Sequence, residues 1–127
     1  MRPVSEDRPT PRRLGIRFYR TPGGTAPVRD WLRGLTDEAR RQIGWDIGLV
    51  QERWPIGRPL VGKLGGGLCE VRTTFDKNEY RVFFYIERAQ VVVVHSTMVL
   101  VHGIHKKTHK TPAADFALAQ RRMKEGT

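Results

Sequence analysis

Three strand-like runs in the second half of the chain constrain its fold more than any other feature. Leu68 to Phe75, Tyr80 to Glu87 and Val91 to Ile104 are rich in β-branched and aromatic residues. The turn at Asp76-Lys77-Asn78 separates the first two runs. Because short connections join antiparallel neighbours, the three runs predict an antiparallel sheet. The third run is longer than the roughly 3–10 residues of most strands, so we expect a bulge or break near His95-Ser96.

Two helical patterns precede these strands. Pro27 in the first turn and Gly34 at the end bound a short helix. Thr36 is a good N-cap for a second helix, which Pro55 ends. Apolar residues recur along this second helix at helical spacing: Ala39, Ile43, Ile47, Val50 and Trp54. One short turn between the two helices predicts a helical hairpin.

The remaining segments complete the predicted domain. Leu14 to Arg20 alternates weakly as a first strand, and Ile56 to Gly67 is a connector rich in glycine and proline. Thr111 is a plausible N-cap for a final helix. The sequence therefore predicts an α+β fold, with an antiparallel sheet packed on an N-terminal helical hairpin and a C-terminal helix. We expect residues 1–13 to be a flexible basic tail and residues 14–127 a single domain.

The charge balance indicates a polyanionic partner. The chain has 127 residues with 23 Lys and Arg against 13 Asp and Glu, a formal net charge of +10. Such an excess favours contact with RNA, DNA or an acidic protein. The single cysteine, Cys69, excludes an internal disulfide and a cysteine-rich metal site. Without a signal-peptide pattern or a bilayer-spanning apolar run, we expect a cytoplasmic protein and no membrane contact.

A dense group of cations lies where the last strand meets the last helix. It contains Lys106, Lys107 and Lys110, and it is interleaved with three histidines, His102, His105 and His109. The following helix N-terminus adds free backbone N–H groups, so this junction predicts an anion site, with a nucleic-acid backbone as the anion. The histidines straddle a strand end and a loop without a neighbouring carboxylate. We therefore predict no metal site there.

One face of the predicted sheet combines cations with flat rings. Alternation along the strands places Arg72, Arg81, Phe83 and Tyr85 together. Guanidinium groups on phosphates and bases stacked on aromatic rings are the chemistry of single-stranded RNA recognition. In the alternative, Phe83 and Tyr85 form a second small core under a loop or the C-terminal helix. Glu70 is more simply an ion-pair partner of Arg72 than a general base.

Four segments together resemble a known family. They are Lys63-Leu64, Gly67 to Arg72, Tyr80 to Tyr85 and Val101 to Pro112. They resemble the phage-related HigB-type toxins of the RelE/ParE superfamily, and the similarity extends over roughly residues 14 to 125. The most specific part is the stretch Lys-Lys-Thr-His-Lys-Thr-Pro that ends at Pro112.

The resemblance implies the toxin component of a type II toxin–antitoxin system. It implies a RelE-like fold and an endoribonuclease that needs no metal or other cofactor. The enzyme would cleave mRNA, in association with the ribosome, and so inhibit translation. A helix-turn-helix antitoxin of the HigA type would be its partner. The alternatives are a noncatalytic or gyrase-targeting ParE-like toxin, a phage-derived nucleic-acid-binding module, and a decayed toxin that keeps the fold without activity.

The resemblance also implies roles for individual residues. In this mechanism the RNA 2′-hydroxyl attacks the neighbouring phosphate, which Arg72 and Arg81 would grip. Lys106 and Lys107 would neutralise the developing charge. The role of His105 is inferred from the residue itself and not from the resemblance: it would shuttle a proton, because the pKa of an unperturbed imidazole lies near neutrality. Beside the proposed stacking on Phe83 and Tyr85, four residues would bind the RNA backbone: Lys63, Thr108, Lys110 and Thr111.

Overall fold

Five strands and three helices make up the described part of the chain, which covers residues 14–88, 96–106 and 112–126 of this computed structural model. The elements form an α+β fold. In chain order they are β1 (Gly15–Phe18), α1 (Pro27–Arg33), α2 (Asp37–Arg53), β2 (Val61–Gly65), β3 (Leu68–Phe75), β4 (Asn78–Glu87), β5 (Thr97–Lys106) and α3 (Ala113–Gly126).

The helix boundaries in the first half follow the local signals in the sequence. Pro27 occupies the first turn of α1, and Gly34 ends that helix. The backbone N–H of Ala39 donates to Thr36 Oγ1 at 3.2 Å, so the predicted N-cap of α2 is confirmed. Helix α2 ends at Arg53, as predicted from the proline at position 55.

The sheet is mixed, with the order β1-β5-β4-β3-β2. Strands β2 to β5 pair antiparallel, whereas β1 pairs parallel with β5. The prediction of a wholly antiparallel sheet is therefore wrong at β1. The physical reason is that parallel neighbours need only a long connection, and two helices and three strands separate β1 from β5.

The helices lie on both faces of the sheet. Helix α1 packs against β5 and α2 against β3, while α3 packs on the opposite face over β4 and β5. The predicted N-terminal helical hairpin is therefore wrong, since α1 packs mainly on β5 and α2 mainly on β3. Strand β4 shows why helices lie on both faces of the sheet. Its neighbouring residues Phe83 and Phe84 are both fully buried, one on each face. A sheet with two apolar faces needs cover on both.

The segment predicted as a connector contains an edge strand. Strand β2 pairs with β3, and Val61 lies opposite Val71. Gly65, Gly66 and Gly67 all have positive φ, which makes them the tight turn of this hairpin. The prediction of a connector without a strand over residues 56–67 was therefore wrong.

The later strands follow the sequence pattern closely. Strand β3 has its predicted bounds, and β4 begins two residues before the predicted start at Tyr80. Strand β5 begins at Thr97, directly after the predicted break, and runs beyond Ile104 to Lys106. A bulge lies at Val101, between the pairs Phe83–His102 and Phe84–Leu100. Residues 89–95, the first part of the predicted third run, lie outside the described residues.

No helix in the described ranges is long and apolar enough to cross a membrane.

Candidate functional site

Helix α3 covers only one part of its face of the sheet. Beneath it lie the apolar residues of the second core, among them Phe83, Tyr85 and Val101. Next to them the same face carries charges, because Arg72 pairs with Arg81 and Glu79 with Lys106 in the strand register. We call these residues the charged cluster: Glu70, Arg72, Glu79, Arg81 and Lys106.

A buried carboxylate holds the two arginines of the charged cluster. Glu70 is 1% exposed, and its Oε2 lies 3.1 Å from Arg72 Nε and 3.3 Å from Arg81 Nε. Arg81 Nη2 also pairs with Glu79 Oε1 at 2.9 Å. The contact of Glu70 with Arg72 is a hydrogen bond, whereas its contact with Arg81 Nε is ionic only. The negative charge offsets the repulsion between the two guanidinium groups. The ion pair predicted between Glu70 and Arg72 is confirmed.

Gly62 provides the surface on which Arg72 rests. Strand β2 places Gly62 opposite Glu70, on the face of the charged cluster. A Cβ atom at residue 62 would lie 2.5 Å from Arg72 Nη2 and 2.9 Å from its Cζ. Only a residue without a side chain therefore allows the guanidinium to lie against the strand.

Lys106 adds a third cation at the end of β5. Lys106 is 7% exposed, and burial lowers the pKa of its ammonium group below the ordinary value. The positive charge of Arg81 lowers this pKa further, whereas Glu70 and Glu79 raise it. Three cations and two carboxylates thus converge at one place, an arrangement that suits the binding of an anion with several oxygens.

The sequence profile of the phage-derived Gp49-like proteins (DUF891) matches residues 30–124. The chain belongs to this family. The Gp49-like family is part of the RelE/ParE-like toxin superfamily, whereas membership of the HigB toxins in particular is not established by the match. No curated protein matches the chain.

Two residues predicted for the site lie elsewhere in this Gp49-like protein. His105 precedes Lys106 on a strand and therefore points to the opposite face. There its ring stacks on Tyr80 with centroids 4.8 Å apart, and its Nε2 lies 2.9 Å from Asn78 Oδ1. Lys63 pairs with Cys69 and is exposed on that opposite face as well. The structure brings neither of them to the charged cluster.

Phe83 and Tyr85 belong to the second core, which is the alternative that the sequence left open. Phe83 is fully buried and Tyr85 nearly so, beneath α3. The ring of Phe83 meets the imidazole of His102 edge-on, with centroids 5.4 Å apart. Buried rings offer no face to a base, so the predicted stacking does not fit their positions.

The other predicted site residues lie outside the described residues. They are Lys107, Thr108, Lys110 and Thr111, together with His109. Their predicted roles stay predictions. Among the described residues no group of three or more His, Cys, Asp and Glu side chains could hold a metal ion, and His102 and His105 lie on opposite faces of β5.

Sequence reasoning missed the contacts that hold α3 in place. His102 Nε2 lies 2.7 Å from Asp115 Oδ1, and Arg122 Nη1 donates to the carbonyl oxygen of Val101 at 2.9 Å. These residues are 13 to 21 positions apart, so no local pattern pairs them. Their effect is to fix α3 beside the charged cluster.

Proposed function

We propose that this Gp49-like protein is the toxin of a type II toxin–antitoxin system. In this proposal it cleaves mRNA without a metal ion, in association with the ribosome, and a helix-turn-helix antitoxin binds it. The single observation that carries the proposal is the pair of arginines on one buried carboxylate, with Lys106 beside them. Nonspecific binding of nucleic acid needs only scattered surface cations. Cations that converge on one point suit the reaction of a single phosphate.

The proposed reaction is attack of an RNA 2′-hydroxyl on the neighbouring phosphorus. A new bond forms between O2′ and phosphorus, and the bond from phosphorus to O5′ breaks. The 2′-hydroxyl proton passes to solvent, and the departing 5′-oxygen gains a proton. The products are a 2′,3′-cyclic phosphate and a 5′-hydroxyl end. Attack builds negative charge on the nonbridging phosphate oxygens, and bond breaking moves it to the leaving 5′-oxygen. Positive groups at both places stabilise the transition state.

The residues of the charged cluster divide this work. Arg72 and Arg81 would bind the two nonbridging oxygens of the phosphate, since a guanidinium group can donate two parallel hydrogen bonds. Lys106 would neutralise charge at the leaving 5′-oxygen. Because burial lowers its pKa, its ammonium group is a better acid than that of an exposed lysine and is suited to donate the proton. His105 has no part in this mechanism, since it lies on the other face.

The position of His105 also favours a second candidate function. An imidazole would be the usual proton shuttle, and His105 is directed away from the arginines. A noncatalytic or gyrase-targeting toxin, or a nucleic-acid-binding module, would need the cations and no acid or base. The two candidates differ in one measurable outcome, the appearance of cut mRNA.

The test is to express the chain inducibly in bacteria and to map mRNA 5′ ends after induction. We expect growth arrest with new, codon-spaced 5′-hydroxyl ends. Arg81→Ala is expected to abolish the cuts, because it removes a guanidinium that two carboxylates, Glu70 and Glu79, hold at the proposed phosphate site by ion pairs. Arrest with intact mRNA would favour the noncatalytic candidate. Full cutting by Arg81→Ala would exclude the charged cluster as the active site.

A further inference from the structure

A cleft adjoins the charged cluster where β3 extends past the start of β2. Its volume is about 620 Å³, within the range of roughly 300–1,000 Å³ that is typical of small-molecule sites. Three pairs of residues bound it: Arg72 with Arg81, Gln42 with Asp46, and Pro59 with Leu60. The two arginines therefore line both the cleft and the charged cluster. A ligand bound at the arginines extends naturally into the cleft.

The cleft follows the open edge of β3. The backbone N–H of Arg72 donates to the carbonyl oxygen of Leu60 at 2.8 Å, and Leu60 is the residue directly before β2. Backbone groups alternate in direction along a strand, so those of Thr74 point the same way as those of Arg72. Thr74 lines the cleft. Its peptide N–H and C=O groups thus add a donor and an acceptor on one side.

The opposite side presents an amide that is held in place. Thr73 Oγ1 donates to Asp46 Oδ2 at 2.8 Å, which fixes the Asp46 carboxylate against β3. Asp46 Oδ1 in turn accepts from Gln42 Nε2 at 3.4 Å. The carboxamide of Gln42 keeps a second N–H and a carbonyl oxygen for a ligand. A donor and an acceptor side by side match the edge of a nucleobase.

The charges of the cleft indicate which part of a nucleotide enters it. Asp46 and Glu79 bring two carboxylates to its lining, which disfavours a second phosphate or an acidic peptide. Pro59 and Leu60 bring apolar surface, which suits the flat face of a ring. A neutral, planar ligand with polar edges fits this lining best. A base attached to the nucleotide whose phosphate lies at the arginines has these properties.

We propose that this cleft is a nucleobase subsite, in which Gln42 reads the edge of a base next to the phosphate bound by Arg72 and Arg81. The inference rests on the proposed RNA-binding function of the charged cluster. Gln42 would be a specificity-determining residue and would take no part in the reaction itself.

The test is binding of the full-length protein to uncleavable single-stranded ten-mers with 2′-fluoro sugars. The probes are homopolymers of adenine, cytosine and uracil and an abasic ten-mer, and the readout is fluorescence anisotropy. We expect the wild type to prefer one base. Gln42→Ala should bind that base roughly tenfold more weakly, because one good amide–base pair discriminates by about that factor, and it should bind the three bases alike. Both proteins should bind the abasic ten-mer equally.

Two further variants make the result interpretable. Gln42→Met keeps the length of the side chain without adding a charge and loses its amide, so we expect it to bind the preferred base as weakly as Gln42→Ala does. Gln120→Ala, on α3, is the matched control and should retain the wild-type preference. Thermal unfolding of each variant confirms that it is folded.

Failure of the inference and failure of the proposed function give different results. If Gln42→Ala keeps the wild-type base preference, or if it also weakens binding of the abasic ten-mer, the cleft is not a base-reading site. A wild type that binds all three bases alike overturns the inference as well. If Arg81→Ala binds every probe as the wild type does, the phosphate site itself is wrong, whatever Gln42 does.

Discussion

Arg72 lies across the backbone of Gly62, so closely that a Cβ atom at residue 62 would stand 2.5 Å from Arg72 Nη2. The group that would be displaced is the end of a flexible side chain, so the strand itself has room for alanine. We therefore expect Gly62→Ala to move the guanidinium while the protein stays folded. Its affinity for single-stranded RNA should fall about tenfold, the effect of losing one charge-assisted hydrogen bond.

A double-mutant cycle with Arg72→Ala tests whether Gly62 acts through Arg72. Gly62→Ala should have no further effect on RNA affinity once Arg72 is absent. Gly57→Ala is the control, because a Cβ atom there meets nothing within 4 Å. Additive losses in the cycle would show that Gly62 affects binding by another route.

Glu70→Gln is expected to destabilise the fold because it removes the charge between two guanidinium groups. Arg81 is 7% exposed, so solvent does little to offset the repulsion that remains. Loss of one partner from a buried ion pair costs roughly 3–5 kcal/mol, and we expect an effect near the lower end because glutamine keeps an acceptor oxygen. Urea unfolding measures the change in the free energy of unfolding.

An exposed ion pair provides the matched control. Arg17 Nη2 lies 3.1 Å from Glu87 Oε2, with both side chains exposed. Glu87→Gln should change the free energy of unfolding by less than about 1 kcal/mol. Equal effects of the two substitutions would contradict the bridging role of Glu70.

Gly103→Ala should be destabilising for a different reason. The Cβ atom of residue 103 would overlap Cε3 of Trp31 and stand 2.8 Å from its Cδ2. The Trp31 ring is packed edge-on against Tyr80, so it has little freedom to move away. Overpacking of this kind costs about 1–3 kcal/mol, which urea unfolding would detect.

Gly44 is the matched glycine for this experiment. It lies in the middle of α2, and a Cβ atom there meets nothing within 4 Å. Gly44→Ala is expected to stabilise the protein by up to about 1 kcal/mol, since alanine favours a helix over glycine. If Gly103→Ala is as stable as the wild type, the close packing of Trp31 on β5 is wrong.

Local signals in the sequence were sufficient for several elements. Thr36 as an N-cap, Pro27 in a first turn and the bounds of β3 depend on neighbouring residues, and each is confirmed. The shared face of Arg72 and Arg81 followed from strand alternation alone. Such features depend only on residues that are close together in the chain, so they can be predicted from one sequence.

Other features depend on contacts between distant parts of the chain. Strand β2 has two glycines in five residues, so its residues have low β-propensity. It forms a strand because it pairs with β3. The contact of Asp46 with Thr73 joins residues 27 positions apart, so the cleft left no pattern in the sequence. His105 was predicted to act beside Lys106, and the strand was predicted to end at Ile104. The strand continues to Lys106, and alternation separates the two.

The buried Lys106 gives the charged cluster a predicted pH dependence. Burial lowers the pKa of Lys106 below its ordinary value of 10.5. Between the lowered and the ordinary pKa, the unfolded chain binds a proton that the folded protein has released. The free energy of unfolding should therefore rise with pH through this window. Below the window both states are protonated, and the full cost of burying the ammonium group applies.

Lys106→Met isolates this contribution because methionine does not titrate. We take the free energy of unfolding of the wild type and subtract that of the variant. This difference should increase as the pH rises towards 10.5. The raised pKa values of Tyr19, Tyr85 and Cys69 affect both proteins alike and cancel in the difference. A flat difference for Lys106→Met would mean that the ammonium group of Lys106 is as well solvated in the folded protein as in the unfolded chain.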